Sequence, residues 1–79
     1  MLRGRDIHVG KCYVNNARTI VREVLQASGH IIIFNTYHLD TGNSCGSPSE
    51  CTRRDFTHWA DCEASPTEMA RLQYQNSSM

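Results

Sequence analysis

Residues 19–39 read TIVREVLQASGHIIIFNTYHL and hold most of the β-branched residues of this 79-residue chain. β-branched and aromatic residues favour strands. Ser28 and Gly29 supply a short turn, since glycine accepts the positive φ that tight hairpins require. The stretch therefore predicts two antiparallel strands, at 19–26 and 30–39, as the centre of the fold.

The first of these strands does not alternate cleanly between apolar and polar residues. In an unbroken strand Val21 and Val24 lie on opposite faces, with the charged residues Arg22 and Glu23 between them. A β-bulge at Arg22 and Glu23 would bring the two valines to one side, and bulges are common where small sheets bend. We therefore predict a bend at this point.

The second strand is apolar on both faces. Ile31 and Ile33 lie on one face, and Ile32 and Phe34 lie on the other. Antiparallel sheets commonly leave one face to water, and a chain of this size hides only about 60% of its unfolded surface. A second covering surface is therefore expected, from a helix of the same chain and from another subunit, and we predict a homodimer or higher homo-oligomer.

Two helix-start signals lie in the rest of the chain. Thr52 heads a Ser/Thr-x-x-acid pattern, and Ser65 precedes Pro66 with Glu68 three residues on, which is the stronger start. The predicted elements outside the hairpin are a strand at 7–14, a polar loop at 40–48, a helix at 53–60, a strand at 61–64 and a helix at 66–75.

These elements predict one small domain over residues 1–79. Its class is mainly β (α+β), with a small curled antiparallel sheet or barrel that carries a short helical turn and a C-terminal helix. The ends, 1–6 and 76–79, are predicted to be flexible.

Three segments carry a resemblance to known proteins: VGKCYV at 9–14, VREV at 21–24 and DFTHWA at 55–60. They resemble small uncharacterised bacterial domains with an SH3-like β-barrel. In those domains a Gly-x-x-Tyr strand opens the fold and an aromatic-rich turn precedes the last strand. The resemblance covers residues 7–64 and implies an architecture, with no function attached to it.

The charge balance argues against some classes of partner. Eight Lys and Arg residues balance eight Asp and Glu residues, so the formal net charge is zero. Strong electrostatic attraction to nucleic acid or to an anionic membrane needs an excess of positive charge. The chain also lacks an apolar run long enough to span a bilayer and an apolar secretory segment at its start. We therefore predict a cytoplasmic protein that does not bind membranes.

The four cysteines, Cys12, Cys45, Cys51 and Cys62, form neither a Cys-x-x-Cys motif nor a usual zinc-ribbon spacing. No metal or cofactor is predicted. A small zinc- or thiol-dependent protein stays as an alternative, since thiolate and imidazole suit Zn²⁺. Its ligands would be Cys45, Cys51, His58 and Cys62. No spacing of nucleophile and base singles out a catalytic residue, and a non-catalytic role is favoured.

The most ligand-like stretch places Arg53 and Arg54 before the aromatic pair Phe56 and Trp59. Paired arginines beside aromatic rings suit an anion or a stacked group. The alternative is that both arginines point to water while the aromatic residues close the end of a barrel. The candidate binding residues are Tyr37, Arg53, Arg54, His58 and Trp59.

From these features we predict a small homo-oligomeric interaction or accessory module that binds a protein or peptide partner. The alternative partner is nucleic acid. Its phosphates would be bound by Arg18, Arg22, Arg53 and Arg54 on one face of the sheet.

Overall fold

The computed structural model of the protein describes residues 2–41, 43–44 and 46–70. Five strands form one open antiparallel sheet with the order β4-β3-β2-β1-β5. The elements are a 3-10 turn (Gly4–Asp6), β1 (Cys12–Asn15), β2 (Ile20–Ser28), β3 (Ile31–His38), β4 (Ser49–Thr52), α1 (Arg53–Trp59), β5 (Ala60–Glu63) and α2, which is helical over 66–70. The predicted mainly β class, with a helical turn after β4 and a helix after β5, is confirmed.

The central hairpin forms where the sequence predicts it. Ser28 pairs with Ile31, which leaves Gly29 and His30 as a two-residue loop. Gly29 has a φ of 58°. A positive φ at the first loop position is typical of a type II′ turn, which matches the twist of the adjoining strands.

The predicted bulge is in the wrong place. Pairing between β2 and β3 is continuous up to Val24 opposite Phe34 and shifts before Gln26, so the extra residue is Leu25. Val21 and Val24 therefore stay on opposite faces of the sheet. No bulge is needed between them, because each valine is buried in a separate cluster on its own face of the sheet.

The face of the sheet that carries Tyr13, Val24 and Phe34 is called face A. The 3-10 turn, Ile7 and α1 cover it, and Phe56 of α1 is fully buried there. The Tyr13 hydroxyl donates a 2.7 Å hydrogen bond to the carbonyl of Asp6, which ties the 3-10 turn to the sheet. Gly4–Asp6 thus forms a 3-10 turn that contacts the sheet. The predicted flexibility of residues 1–6 stays a prediction.

The opposite face, face B, carries a second cluster of Val14, Val21, Leu39 and Ala64. Met69 of α2 packs against it, so the same chain supplies part of the second covering surface that β3 requires. Ser65 and Glu68 form the predicted capping box, with N–H to side-chain distances of 2.9 and 3.2 Å. The part of the predicted helix at 71–75 and the end at 76–79 lie outside the described residues.

The strand that the sequence does not predict is β4. It pairs along its whole length with the start of β3, from Ile31 opposite Thr52 to Phe34 opposite Ser49. Three of its four residues are exposed. Its four residues show no apolar alternation, so the sequence pattern does not predict it. The strand is held by its backbone pairing with β3.

The helix α1 shows that the sheet is curled. It begins directly after β4 and ends directly before β5, and these strands are the two edges of the sheet. Five strands in a flat sheet would span about 19 Å at roughly 4.8 Å per spacing, whereas a seven-residue helix is only about 10.5 Å long. The sheet therefore bends around face A, and α1 crosses that face. No helix in the described part of the chain is long and apolar enough to cross a membrane.

Candidate functional site

Arg53, the first candidate, is part of the framework. Its Nε donates to the carbonyl of Gly29 at 2.9 Å, and one terminal nitrogen donates to the carbonyls of Gly4 at 2.7 Å and Ile7 at 3.4 Å. A Cβ on Gly4 would lie 3.1 Å from the Arg53 Cδ, so the turn passes close to this side chain. Arg53 thus joins the 3-10 turn, the hairpin and α1 through two of its three guanidinium nitrogens.

The neighbouring candidates, Arg54 and His58, are exposed on α1. His58 borders two open depressions of about 310 and 370 Å³. The first also contains Trp59 and Asp61, and the second contains Arg53 and Arg54. Both depressions are open rather than enclosed, so these residues do not form a buried ligand site by themselves.

Tyr37 lies on the other side of the sheet from α1. It packs against the face B cluster, and its hydroxyl donates to Glu23 Oε1 at 3.2 Å. Burial, with Glu23 as a further cause, raises the pKa of Tyr37. The structure therefore separates Tyr37 from Trp59, which packs against the cluster on face A.

The most unusual environment belongs to Arg22. It lies opposite Tyr13 and Thr36 at the middle of the sheet, on face A. Its guanidinium carbon is 4.4 Å from the centroid of the Phe34 ring and 4.1 Å from that of Trp59. The cation is therefore held between two aromatic rings, one from the sheet and one from α1.

No group in the described residues neutralises this cation. The ion pairs there are Lys11 with Glu63 and Arg18 with Glu68, and the buried Nε of Arg22 has no hydrogen-bond partner. Loss of solvent lowers the pKa of Arg22, while the nearby thiol of Cys51 acts in the opposite direction. Arginine nevertheless stays protonated in proteins, so Arg22 is a fixed positive charge whose buried Nε is unpaired.

The energies at Arg22 nearly cancel. An unsatisfied buried donor costs about 1–3 kcal/mol, and a cation–π contact returns roughly 0.5–2 kcal/mol. A protein gains little stability from such an arrangement. A ligand carboxylate, by contrast, would supply the anionic partner that this half-buried cation lacks in the described residues. We therefore take Arg22, with Phe34 and Trp59, as the candidate site.

The site adjoins the β4 edge of the sheet. Ser49 of β4 is exposed and pairs with Phe34, and Cys51 packs against the same face A cluster. From the sequence, Arg22 is predicted as a binding residue only within the nucleic-acid alternative. The available signal was a charged residue between Val21 and Val24, in the middle of a central strand.

The four arginines of the nucleic-acid alternative do not form one open basic face. Arg18, in the β1–β2 turn, donates to both carboxylate oxygens of Glu68 at 3.1 and 3.2 Å. Arg22 is stacked and half-buried, and Arg53 is bound to carbonyls. Of the four, Arg18 and Arg54 are exposed, and Arg18 is already paired with Glu68.

The zinc alternative also lacks a common site. Cys51 packs on face A and Cys62 on face B, so they cannot bind one ion with His58. Among the described residues no group of three His, Cys, Asp or Glu side chains is placed to hold a metal, and Cys45 lies outside those residues. Burial, followed by Glu23 and Glu63, raises the pKa of the Cys12 thiol to about 11, which disfavours its thiolate near neutral pH.

No known protein family, curated protein or solved structure matches this chain. The resemblance to SH3-like barrels therefore stays a prediction.

Proposed function

We propose that this chain is a small protein-interaction module that binds an acidic segment of a partner protein through Arg22. The observation that carries the proposal is the half-buried guanidinium between Phe34 and Trp59, which has no anionic partner in the described residues. Three free thiols, at Cys12, Cys51 and Cys62, suit a protein of the reducing cytoplasm.

A carboxylate is the ligand group that fits Arg22 best. The guanidinium offers a planar fork of donors that matches the two oxygens of a carboxylate. Stacking on two rings holds this fork in place, so less side-chain entropy is lost when a ligand binds. Aromatic walls also lower the local dielectric, which strengthens the pair relative to one in water.

Self-association has weaker support. The exposed apolar residues on the uncovered part of face B are Leu25, at 39% exposure, and Ile31, at 38%. Together they offer far less area than the roughly 1,200–2,000 Å² of a stable interface, and patches of a few hundred Å² are ordinary on monomers. Homo-oligomerisation therefore stays a prediction, to be tested by light scattering coupled to size-exclusion chromatography.

The proposal is tested with a defined acidic probe. The probe is a blocked heptapeptide of serine and threonine with glutamate at its centre, and its matched control has glutamine there. Binding is measured by isothermal titration calorimetry in the native protein and in every variant, and the NMR signal of the Arg22 Nε–H group locates it in the native protein. We expect the glutamate peptide to bind at least about 10-fold more tightly, because a charged hydrogen-bonded pair contributes about 1.5–3 kcal/mol.

Two variants make the test specific. Arg22→Lys keeps the charge but loses the planar fork, and we expect it to remove the preference for glutamate. Arg54→Lys is the matched control, since Arg54 is exposed on α1, and it should bind as the native protein does. Equal binding of the two peptides, or an unchanged preference in Arg22→Lys, would contradict the proposed function.

A further inference from the structure

The edge strand β4 presents unpaired backbone groups beside the Arg22 site. The Arg53 N–H donates to the carbonyl of His30, which makes this a hydrogen-bonded pair at the end of the β3–β4 ladder. Such pairs alternate along an antiparallel ladder, so the backbone groups of Cys51 and Ser49 face β3. Those of Glu50 then point away from the sheet, where the described part of the chain has no further strand, whereas Thr52 is the N-cap of α1 and its carbonyl belongs to the first turn of that helix.

The other edge strand, β5, is less suited to pairing. Its register with β1 shifts between Val14 and Asn15, and Arg18 donates to the Cys62 sulfur on that strand. Bulges and charged side chains are common protections of sheet edges. In contrast, β4 pairs with β3 without a register shift, although it carries the charged Glu50 and directly follows Pro48.

We infer that the partner segment binds as an added strand, antiparallel to β4, and that a glutamate on this strand reaches Arg22. The inference rests on the proposed function and specifies its geometry. One residue of the partner forms a hydrogen-bonded pair with Glu50. The residues next to it along the partner then lie opposite Ser49 and Cys51, on face A.

The distances favour glutamate at that position. The added strand would lie two strand spacings, or about 9.6 Å, from β3, while the guanidinium carbon lies 4.4 Å from the Phe34 ring of β3. The glutamate must extend across the small side chain of Ser49 to reach the guanidinium, which stays at the Phe34 ring. Aspartate, with one methylene fewer, is expected to bind more weakly.

The adjacent residue of the partner, which pairs with Glu50, has its side chain on face B, and the side chains there favour a particular residue type. The residue that pairs with Glu50 has its side chain on the same face as that carboxylate, and like charges directly opposite each other repel. A lysine there would instead pair with Glu50 and lay its methylenes toward Ile33, which is the β3 neighbour of Glu50. The expected ligand is thus an extended segment with lysine and glutamate at adjacent positions.

Backbone methylation of the probe distinguishes strand addition from side-chain binding alone. The probe is the glutamate heptapeptide with lysine on one side of the glutamate. In an antiparallel added strand, the glutamate N–H points away from β4 and the N–H groups of its two neighbours point toward it. We expect methylation of the glutamate nitrogen to leave the affinity within about 3-fold, and methylation of both neighbours to lower it at least about 10-fold, since each lost hydrogen bond costs about 0.5–1.5 kcal/mol.

A matched pair of protein variants tests the same contact from the other side. Glu50→Pro removes an N–H that faces solvent, which an edge strand tolerates, and we expect at least about 10-fold weaker binding of the unmethylated probe. Glu50→Ala retains the N–H and should keep glutamate-dependent binding. Urea unfolding of both variants verifies that β4 remains paired.

The outcomes separate the two proposals. If binding depends on the probe's glutamate and on Arg22, yet both methylated peptides bind equally well, the proposed function stands and strand addition is wrong. A reversed methylation pattern would exclude the antiparallel arrangement. If neither the glutamate nor Arg22 affects binding, both proposals are wrong.

Discussion

Arg22 lies on the face of the sheet that α1 covers, and Arg53 is the first residue of α1, but the surroundings of the two arginines differ. Arg53 is hydrogen-bonded through its guanidinium to carbonyls from the 3-10 turn, the hairpin and the segment that follows the turn. Arg22 has aromatic rings on both sides and no hydrogen-bond partner for its buried Nε. Arg53 is held by hydrogen bonds from two of its three guanidinium nitrogens, whereas the buried Nε of Arg22 is unpaired and its charge has no anion among the described residues.

The difference teaches how to separate structural from functional charge in this protein. A buried donor that the fold itself satisfies contributes to stability, and its removal leaves acceptors unpaired. A half-buried cation without an anion contributes little to stability, so a binding role explains its presence better. The measured quantity that distinguishes the two arginines is therefore the free energy of unfolding.

The largest expected effect is at Arg53. Arg53→Ala should lower the free energy of unfolding by about 2–4 kcal/mol, because it removes several charge-assisted hydrogen bonds to backbone carbonyls of the 3-10 turn and the hairpin. Urea denaturation followed by Trp59 fluorescence measures this change. Arg54→Ala, the adjacent exposed control, should change stability by less than about 0.5 kcal/mol. A similar loss in both variants would show that Arg53 has no special structural role.

The sequence was sufficient for most of the fold because the fold follows local patterns. The hairpin over Ile20–His38 has strong β-branched strands with a glycine turn, and Thr52 and Ser65 start their helices through the predicted side-chain caps. The bulge was misplaced because alternation alone assumed that Val21 and Val24 belong to one core. Two cores, on opposite faces, remove that requirement.

The candidate site was less accessible to sequence reasoning, since it depends on contacts between distant segments. Arg22 and Trp59 are brought together only when α1 crosses the curled sheet. Adjacent arginines in the sequence drew attention to Arg53, whose partners at Gly4 and Gly29 have no sequence signal. Of the predicted binding residues, Trp59 alone lies against the Arg22 guanidinium.

A smaller effect is expected at the Arg18–Glu68 pair, an arginine that does have a carboxylate. Burial acts to raise the pKa of Glu68, but hydrogen bonds from Ser65 and Arg18 outweigh it and lower the pKa from its usual 4.5. The stabilisation is therefore fully present above pH 4.5 and is lost as the pH falls through the lowered pKa. Glu68→Gln should cost about 1 kcal/mol at pH 7, since it weakens a helix cap.

The pH dependence is the specific readout for this pair. Urea midpoints of the native protein and Glu68→Gln should differ at pH 7 and converge as the pH falls below 4.5. A difference that stays constant from pH 7 down to pH 3 would mean that the charge of Glu68 does not stabilise the fold. Glu50→Gln, on an exposed strand, is the matched control and should leave the midpoint nearly unchanged.

The smallest effect on stability, and the sharpest test of the comparison, is expected at Arg22. Arg22→Met removes the cation–π contacts, but it also removes the unsatisfied Nε, so the free energy of unfolding should change by less than about 1 kcal/mol. The same variant should lose its preference for the glutamate peptide. Arg53→Met, as the control, should be destabilised by about 2–4 kcal/mol. If Arg22→Met loses as much stability as Arg53→Met, Arg22 is a structural residue and the distinction between the two arginines fails.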